Sequence, residues 1–90
     1  MVMTNKEVCN AFVNKTNGQS GSMWTDGVKI YSYNTCIGEW VDGKIILNVS
    51  KYSVTTSKQQ NYLRGAASYK GYVETTKHVP MGSNSLRGYY

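Results

Sequence analysis

The chain reads as an α+β domain: a four-stranded antiparallel meander of two Asp-Gly hairpins, packed by an N-terminal helix and a second helix, with an irregular C-terminal tail. Three observations predict it. A capping box at Thr4-Asn5-Lys6-Glu7 opens a helical apolar pattern. Asp26-Gly27 and Asp42-Gly43 each split a β-like run, and hydroxyl residues at Thr55-Thr56-Ser57 precede a second helical pattern. Ninety residues make a single domain whose core is modest, because a chain this short buries only about 60–65% of its unfolded surface.

The first helix has a defined start. The Thr4 hydroxyl can accept from the Glu7 amide while the Glu7 carboxylate reaches back, and Met3 and Val8 occupy the positions of a hydrophobic staple. Val8, Ala11 and Phe12 recur at helical spacing, and Asn17-Gly18 supplies a stop.

The hairpins follow. Asp26-Gly27 separates Met23-Trp24-Thr25 from a strand beginning at Val28, and Asp42-Gly43 separates Cys36 to Val41 from Lys44 to Val49. An Asp-Gly pair suits a type I′ turn, in which both central residues take positive φ. A two-residue loop in the second hairpin pairs Trp40 with Ile45, Gly38 with Leu47 and Cys36 with Val49 on a face that meets the helices. Glu39 and Ile46 then fall on a half-solvated opposite face, and Asn34-Thr35 turns the chain between the hairpins.

Ser57-Lys58-Gln59-Gln60 reads as a second capping box, with Gln59, Leu63, Ala66 and Ala67 as the buried stripe of the helix it opens. Beyond Ser68 the pattern dissolves, apart from a short strand pattern over Tyr72 to Thr76. The division is a compact domain over residues 1–68 and a tail over 69–90, of the kind that a partner or another subunit holds in place.

Charge is unevenly distributed. Of ten basic and five acidic residues, residues 1–43 carry three basic against four acidic, and residues 44–90 carry seven basic against Glu74 alone. Such asymmetry points the second half toward polyanions or acidic protein surfaces, although spaced lysines also serve simply to keep a small domain soluble. Ile45-Ile46-Leu47 is as long as the apolar runs become, and the N-terminus shows no basic region leading into an apolar segment. The expectation is a cytoplasmic protein without a membrane partner. In that setting Cys9 and Cys36 are read as buried thiols, and together with the single His78 they lack the spacing of a zinc site.

Catalytic patterns are missing from the sequence. No two carboxylates are paired for acid–base work, no Gly-x-Ser-x-Gly elbow occurs, and neither glycine-rich phosphate motif is present. The expectation is a non-enzymatic protein with no cofactor and no metal. Binding has more material. Eight tyrosines, two tryptophans and one phenylalanine interleave with cations: Tyr31 and Tyr33 lie beside Lys29, Tyr52 follows Lys51, and Tyr69 and Tyr72 flank Lys70. Rings beside cations suit stacking on unpaired bases with phosphates nearby, and equally suit a protein interface. The candidate binding residues are Lys51, Tyr52, Lys58, Tyr62, Arg64, Tyr69, Lys70 and Tyr72.

The segment Tyr31-Ser32-Tyr33-Asn34-Thr35, followed by Tyr52-Ser53-Val54-Thr55-Thr56-Ser57-Lys58-Gln59-Gln60, resembles a group of short phage-encoded domains with no established activity. The likeness spans residues 4–67 and implies a phage product acting in the bacterial cytoplasm. It also draws attention to Tyr52, Thr55, Thr56 and Ser57, a strand-to-helix junction able to receive an anion or simply a well-capped helix. Three functions follow as expectations. The first is an anti-CRISPR-like inhibitor of a bacterial defence complex, partnered with a host protein or nucleoprotein. The second is a direct binder of single-stranded nucleic acid. The third is an oligomeric sponge for a nucleotide signal.

Overall fold

The computed structural model describes residues 3–70, 73–86 and 88–89, with only the backbone of Lys70. In chain order it contains α1 (Asn5–Val13), β1 (Gly18–Gln19), β2 (Met23–Thr25), β3 (Lys29–Ser32), β4 (Thr35–Val41), β5 (Lys44–Asn48), α2 (Val54–Ala67), a 3-10 turn (Ser68–Lys70) and β6 (Val73–Thr76). The class is α+β. The predicted meander is present as β2–β5, but it is the centre of a six-stranded mixed sheet ordered β1-β2-β3-β4-β5-β6. All neighbours are antiparallel except β5 and β6, which run parallel with α2 as the crossover between them. A parallel pair requires such a long connection.

The α1 capping box forms as expected: the Thr4 amide donates to Glu7 Oε1 at 2.9 Å and the Glu7 amide to Thr4 Oγ1 at 3.2 Å. The second helix starts earlier than the sequence suggests. Ser53, with extended backbone, caps α2 by accepting from the Thr56 amide at 3.2 Å, so residues 57–60 lie inside the helix and the capping box expected there does not form.

Turn chemistry was only half legible. Asp42 (φ 51°) and Gly43 (φ 79°) make the expected two-residue loop, and Val41 pairs with Lys44. At the first hairpin, however, Thr25 pairs with Ile30 rather than Val28. The Asp26 carboxylate accepts the amides of Val28 and Lys29 at 2.9 and 2.8 Å, drawing residues 26–29 into a four-residue loop. The register moves by two, so the faces are unchanged. Between the hairpins Ser32 pairs with Thr35, and Tyr33-Asn34, rather than Asn34-Thr35, forms the turn.

A bulge overturns the face assigned to Cys36. Ile30 opposes Gly38 while Tyr31 opposes Cys36, which leaves Ile37 as the extra residue. Ile37 and Gly38 consequently both point toward the helices, and Cys36 is rotated to the opposite face. Glycine is required at 38, because a Cβ there would lie 2.9 Å from both Ile30 Cγ2 and Leu63 Cδ2.

Two apolar layers result. Val8, Cys9, Phe12 and Val13 of α1 and Leu63 and Ala67 of α2 close over Met23, Ile30, Ile37, Ile45 and Leu47. On the far side Tyr31, Cys36, Val41 and Ile46 lie beneath Val79 and Leu86, which belong to the segment read as tail. Glu39, expected on a half-solvated face, is 1% exposed under that segment, where Oε1 accepts from Ser85 Oγ at 2.8 Å and from the Leu86 amide at 3.0 Å. The two cysteines are free and occupy different layers.

Candidate binding surface

The strongest concentration of unneutralised charge stands where the parallel strands β5 and β6 end. Two loops leave there side by side, residues 49–53 and 77–82, and a polar lattice fixes them. The Val49 amide donates to Thr76 O at 2.8 Å, and the Val79 amide to Ser50 Oγ at 2.9 Å. Tyr52 Oη donates to Val79 O at 2.5 Å and accepts from Asn48 Nδ2 at 2.9 Å. Gln60 of α2 ties in the first loop, its Nε2 donating to Asn48 O at 2.6 Å and Ser50 O at 3.0 Å. Backbone groups that would otherwise be orphaned are thereby satisfied, and the cations around them are held on a rigid base.

A groove of about 400 Å³ lies between the loops, with Lys51, Lys77 and His78 on its walls. A smaller one of about 160 Å³ adjoins it on the α2 side, where Lys51 faces Ser57, Asn61 and Arg64. His78 holds a positive φ of 64°. No aspartate or glutamate lines either groove. Among the described residues the salt bridge is Lys44 Nζ to Glu74 Oε1 at 2.9 Å, at the opposite end of the same two strands, and the Lys44 ammonium is held above its ordinary value by that hydrogen bond.

The candidate residues do not converge on one surface. Lys51 and Arg64 share the smaller groove. Tyr52 is half-buried with its hydroxyl committed to the lattice, so it positions the loops. Tyr62 and Tyr69 belong to another groove of about 380 Å³ between α1 and α2, beside Gly65, where Lys6 Nζ stands 5.3 Å from the Tyr62 ring centre. Tyr69 is 91% exposed. Lys58 is exposed, but six positions before Arg64 on a 3.6-residue helix places it roughly 120° around the axis from that residue. The Lys70 side chain and Tyr72 lie outside the described residues.

Sequence reading passed over Lys77 and His78, which counted only toward bulk charge. Their position depends on β6 joining the sheet in parallel, which no local pattern signals. Tyr31 and Tyr33 also part company. Tyr31 is buried, stacked on Trp24 at 4.1 Å with its hydroxyl donating to Asn84 O at 2.9 Å, while Tyr33 stands exposed in a turn.

Each acidic side chain has a structural task. Glu7 caps α1, Asp26 shapes a loop, Glu39 holds the C-terminal segment, Asp42 sits in a turn and Glu74 pairs with Lys44. Partial burial pushes the Asp26 carboxyl up, but the amides of Lys29 and Val28 and the Lys29 charge outweigh it and hold the group below its usual value. Burial raises both thiols to about 12, so neither is a ready nucleophile. Among the described residues no group of three or more His, Cys, Asp or Glu side chains is placed to hold a metal ion, and no helix is long and apolar enough to cross a membrane. No protein-family model matches the chain, no curated protein matches its sequence, and no solved structure matches its fold.

Proposed function

We propose that this is a binding protein that holds an anionic partner against the paired grooves at the ends of β5 and β6. The observation that carries the reading is the convergence of Lys51, Arg64, Lys77 and His78 from three separate segments onto adjoining grooves with no carboxylate in their walls. Like charges gathered without counter-ions repel one another, and a bound anion relieves that repulsion. The structural commitment of all five acids supports recognition over turnover.

The resemblance to phage-encoded domains gives the partner a setting: a bacterial defence complex whose acidic surface or nucleic-acid component the grooves occupy, making this an inhibitor. Capture with tagged protein from defence-expressing bacteria tests it. The wild type should retain the complex at low salt and release it steeply as salt rises, and the triple variant K51A/R64A/K77A should retain none. Equal retention by that variant would remove the grooves from the account. A second reading, direct binding of single-stranded nucleic acid, is favoured by an aromatic pocket on the far side of the same loops.

A further inference from the structure

The loops that carry the basic grooves also build a neutral pocket, and the two are consecutive along the chain. Lys51 is followed by Tyr52, and the residues at 77–79 by Met81. Tyr52 Oη bonded to Val79 O staples the loops at the boundary. Beyond it lies a pocket of about 470 Å³, with Tyr33, Asn34, Tyr52 and Met81 among its walls and no lysine, arginine, aspartate or glutamate. That size falls within the range of small-ligand sites.

Its floor hydroxyls are already engaged within the protein. Ser32 Oγ donates to Gln59 Oε1, Thr56 Oγ1 accepts from Ser53 Oγ at 3.1 Å, and Thr35 Oγ1 accepts from the Gly82 amide at 2.8 Å. What remains for a ligand is two rings, a thioether and the Asn34 carboxamide, which has no hydrogen-bond partner among the described residues. Such a surface suits a flat, uncharged ring with hydrogen-bonding groups on its edge.

Tyr33 strengthens the case. It adopts φ 55° in its two-residue hairpin loop, a conformation the other hairpin loops give to Asp42 and to glycine, yet its ring is 58% exposed. A bulky residue at positive φ is an outlier, and nothing inside the fold repays this one with burial. Met81 opposite is 73% exposed. Two large apolar side chains are thus presented to solvent across a pocket that neither fills.

We infer that this pocket takes the base of a nucleotide, with the phosphate directed to Lys51, Lys77 and His78 across the loop staple. His78 and Met81 are three residues apart, a span of at most about 11 Å. The ligand is one unpaired nucleotide unit, whether a free mononucleotide or part of a single strand. The inference rests on the reading of the basic grooves as an anion site and adds the base.

The test uses the full chain with a labelled twelve-residue oligothymidylate, the corresponding twelve-base-pair duplex, inorganic polyphosphate and the four mononucleotides. Tyr33→Gly is the informative variant, because glycine accepts the positive φ and the fold should hold or gain thermal stability as the ring is lost. The single strand should bind at least about tenfold more tightly than duplex, and Y33G should weaken it about tenfold or more while leaving polyphosphate binding unchanged. K51A/K77A should lose both ligands. Saturable binding of mononucleotides would identify the free ligand as the source, and binding of strands alone would identify the polymer. Unchanged oligothymidylate affinity in a folded Y33G protein, or duplex bound as tightly as single strand, overturns the base pocket while leaving the anion grooves in place. Polyphosphate bound as tightly as the oligonucleotide has the same meaning. Failure of oligothymidylate and polyphosphate alike to bind, with a defence complex still captured through the grooves, overturns it in favour of an acidic protein partner.

Discussion

The two faces of the sheet are closed by different kinds of structure. The helix side is a continuous apolar contact, with Phe12 at its centre and Trp40 sealing its edge through an indole N–H donated to Phe12 O at 2.8 Å. The other side is closed by loop. Val79 and Leu86 supply its apolar cover, and hydrogen bonds to Glu39, Thr35 and Ser50 hold the rest. Hydrophobic burial is non-directional and grows with area, whereas polar clasps act only at fixed geometry and give a small net gain because water competes for the same groups. The helix face should therefore behave as the last part of the molecule to open and the loop-covered face as the first.

The largest effect should come from attacking the stronger face. Phe12→Ala removes a fully buried ring and should destabilise the protein by about 3–5 kcal/mol, read as a shift in the urea midpoint. Leu86→Ala on the weaker face should cost about 2 kcal/mol, at the low end for a buried leucine because a loop can settle into the space. The cysteines report the two faces separately. Cys36 should react with a thiol reagent before Cys9, and Leu86→Ala should speed the Cys36 phase alone by roughly 30-fold. Simultaneous labelling of both thiols would mean that the faces open together and would end the comparison.

Gly38→Ala probes the bulge between the faces. Its Cβ meets side chains of Ile30 and Leu63, which must move, and a cost of about 1–2 kcal/mol in thermal or urea unfolding is expected. The smallest effect concerns acid. Because the Asp26 carboxyl is held below its unfolded value, its contribution is present above that value and disappears as pH falls through the folded one. Asp26→Asn should accordingly flatten a shallow part of the acid limb and leave stability near neutrality changed only slightly. An unaltered acid limb would mean that the Asp26 amide bonds contribute nothing that titrates.

Much of the fold could be read from local chemistry. The Thr4–Glu7 capping box, the Asp42-Gly43 turn and the Val8, Phe12 and Leu63 stripes each depend on residues a few positions apart, and each formed. Errors arose where a side chain had more than one local option: Asp26 drew four residues into its loop, and Ser53 capped α2 ahead of Ser57. Of the candidate site, Lys51 and Arg64 came together, but Tyr52 turned inward and Tyr62 and Tyr69 faced α1. Spacing along a chain does not say which side of a helix meets the sheet.

The sequence by itself determined the two helices, the hairpin turns and the excess of cations in the second half, because propensity, capping and composition act over a turn or two of chain. The tertiary structure alone decided the bulge at Ile37, the parallel entry of β6, the burial of Glu39 and the meeting of residues 49–53 with 77–82. Those features bring together residues tens of positions apart, and such contacts are chosen by which apolar surfaces can be closed at once, a property of the whole chain rather than of any segment.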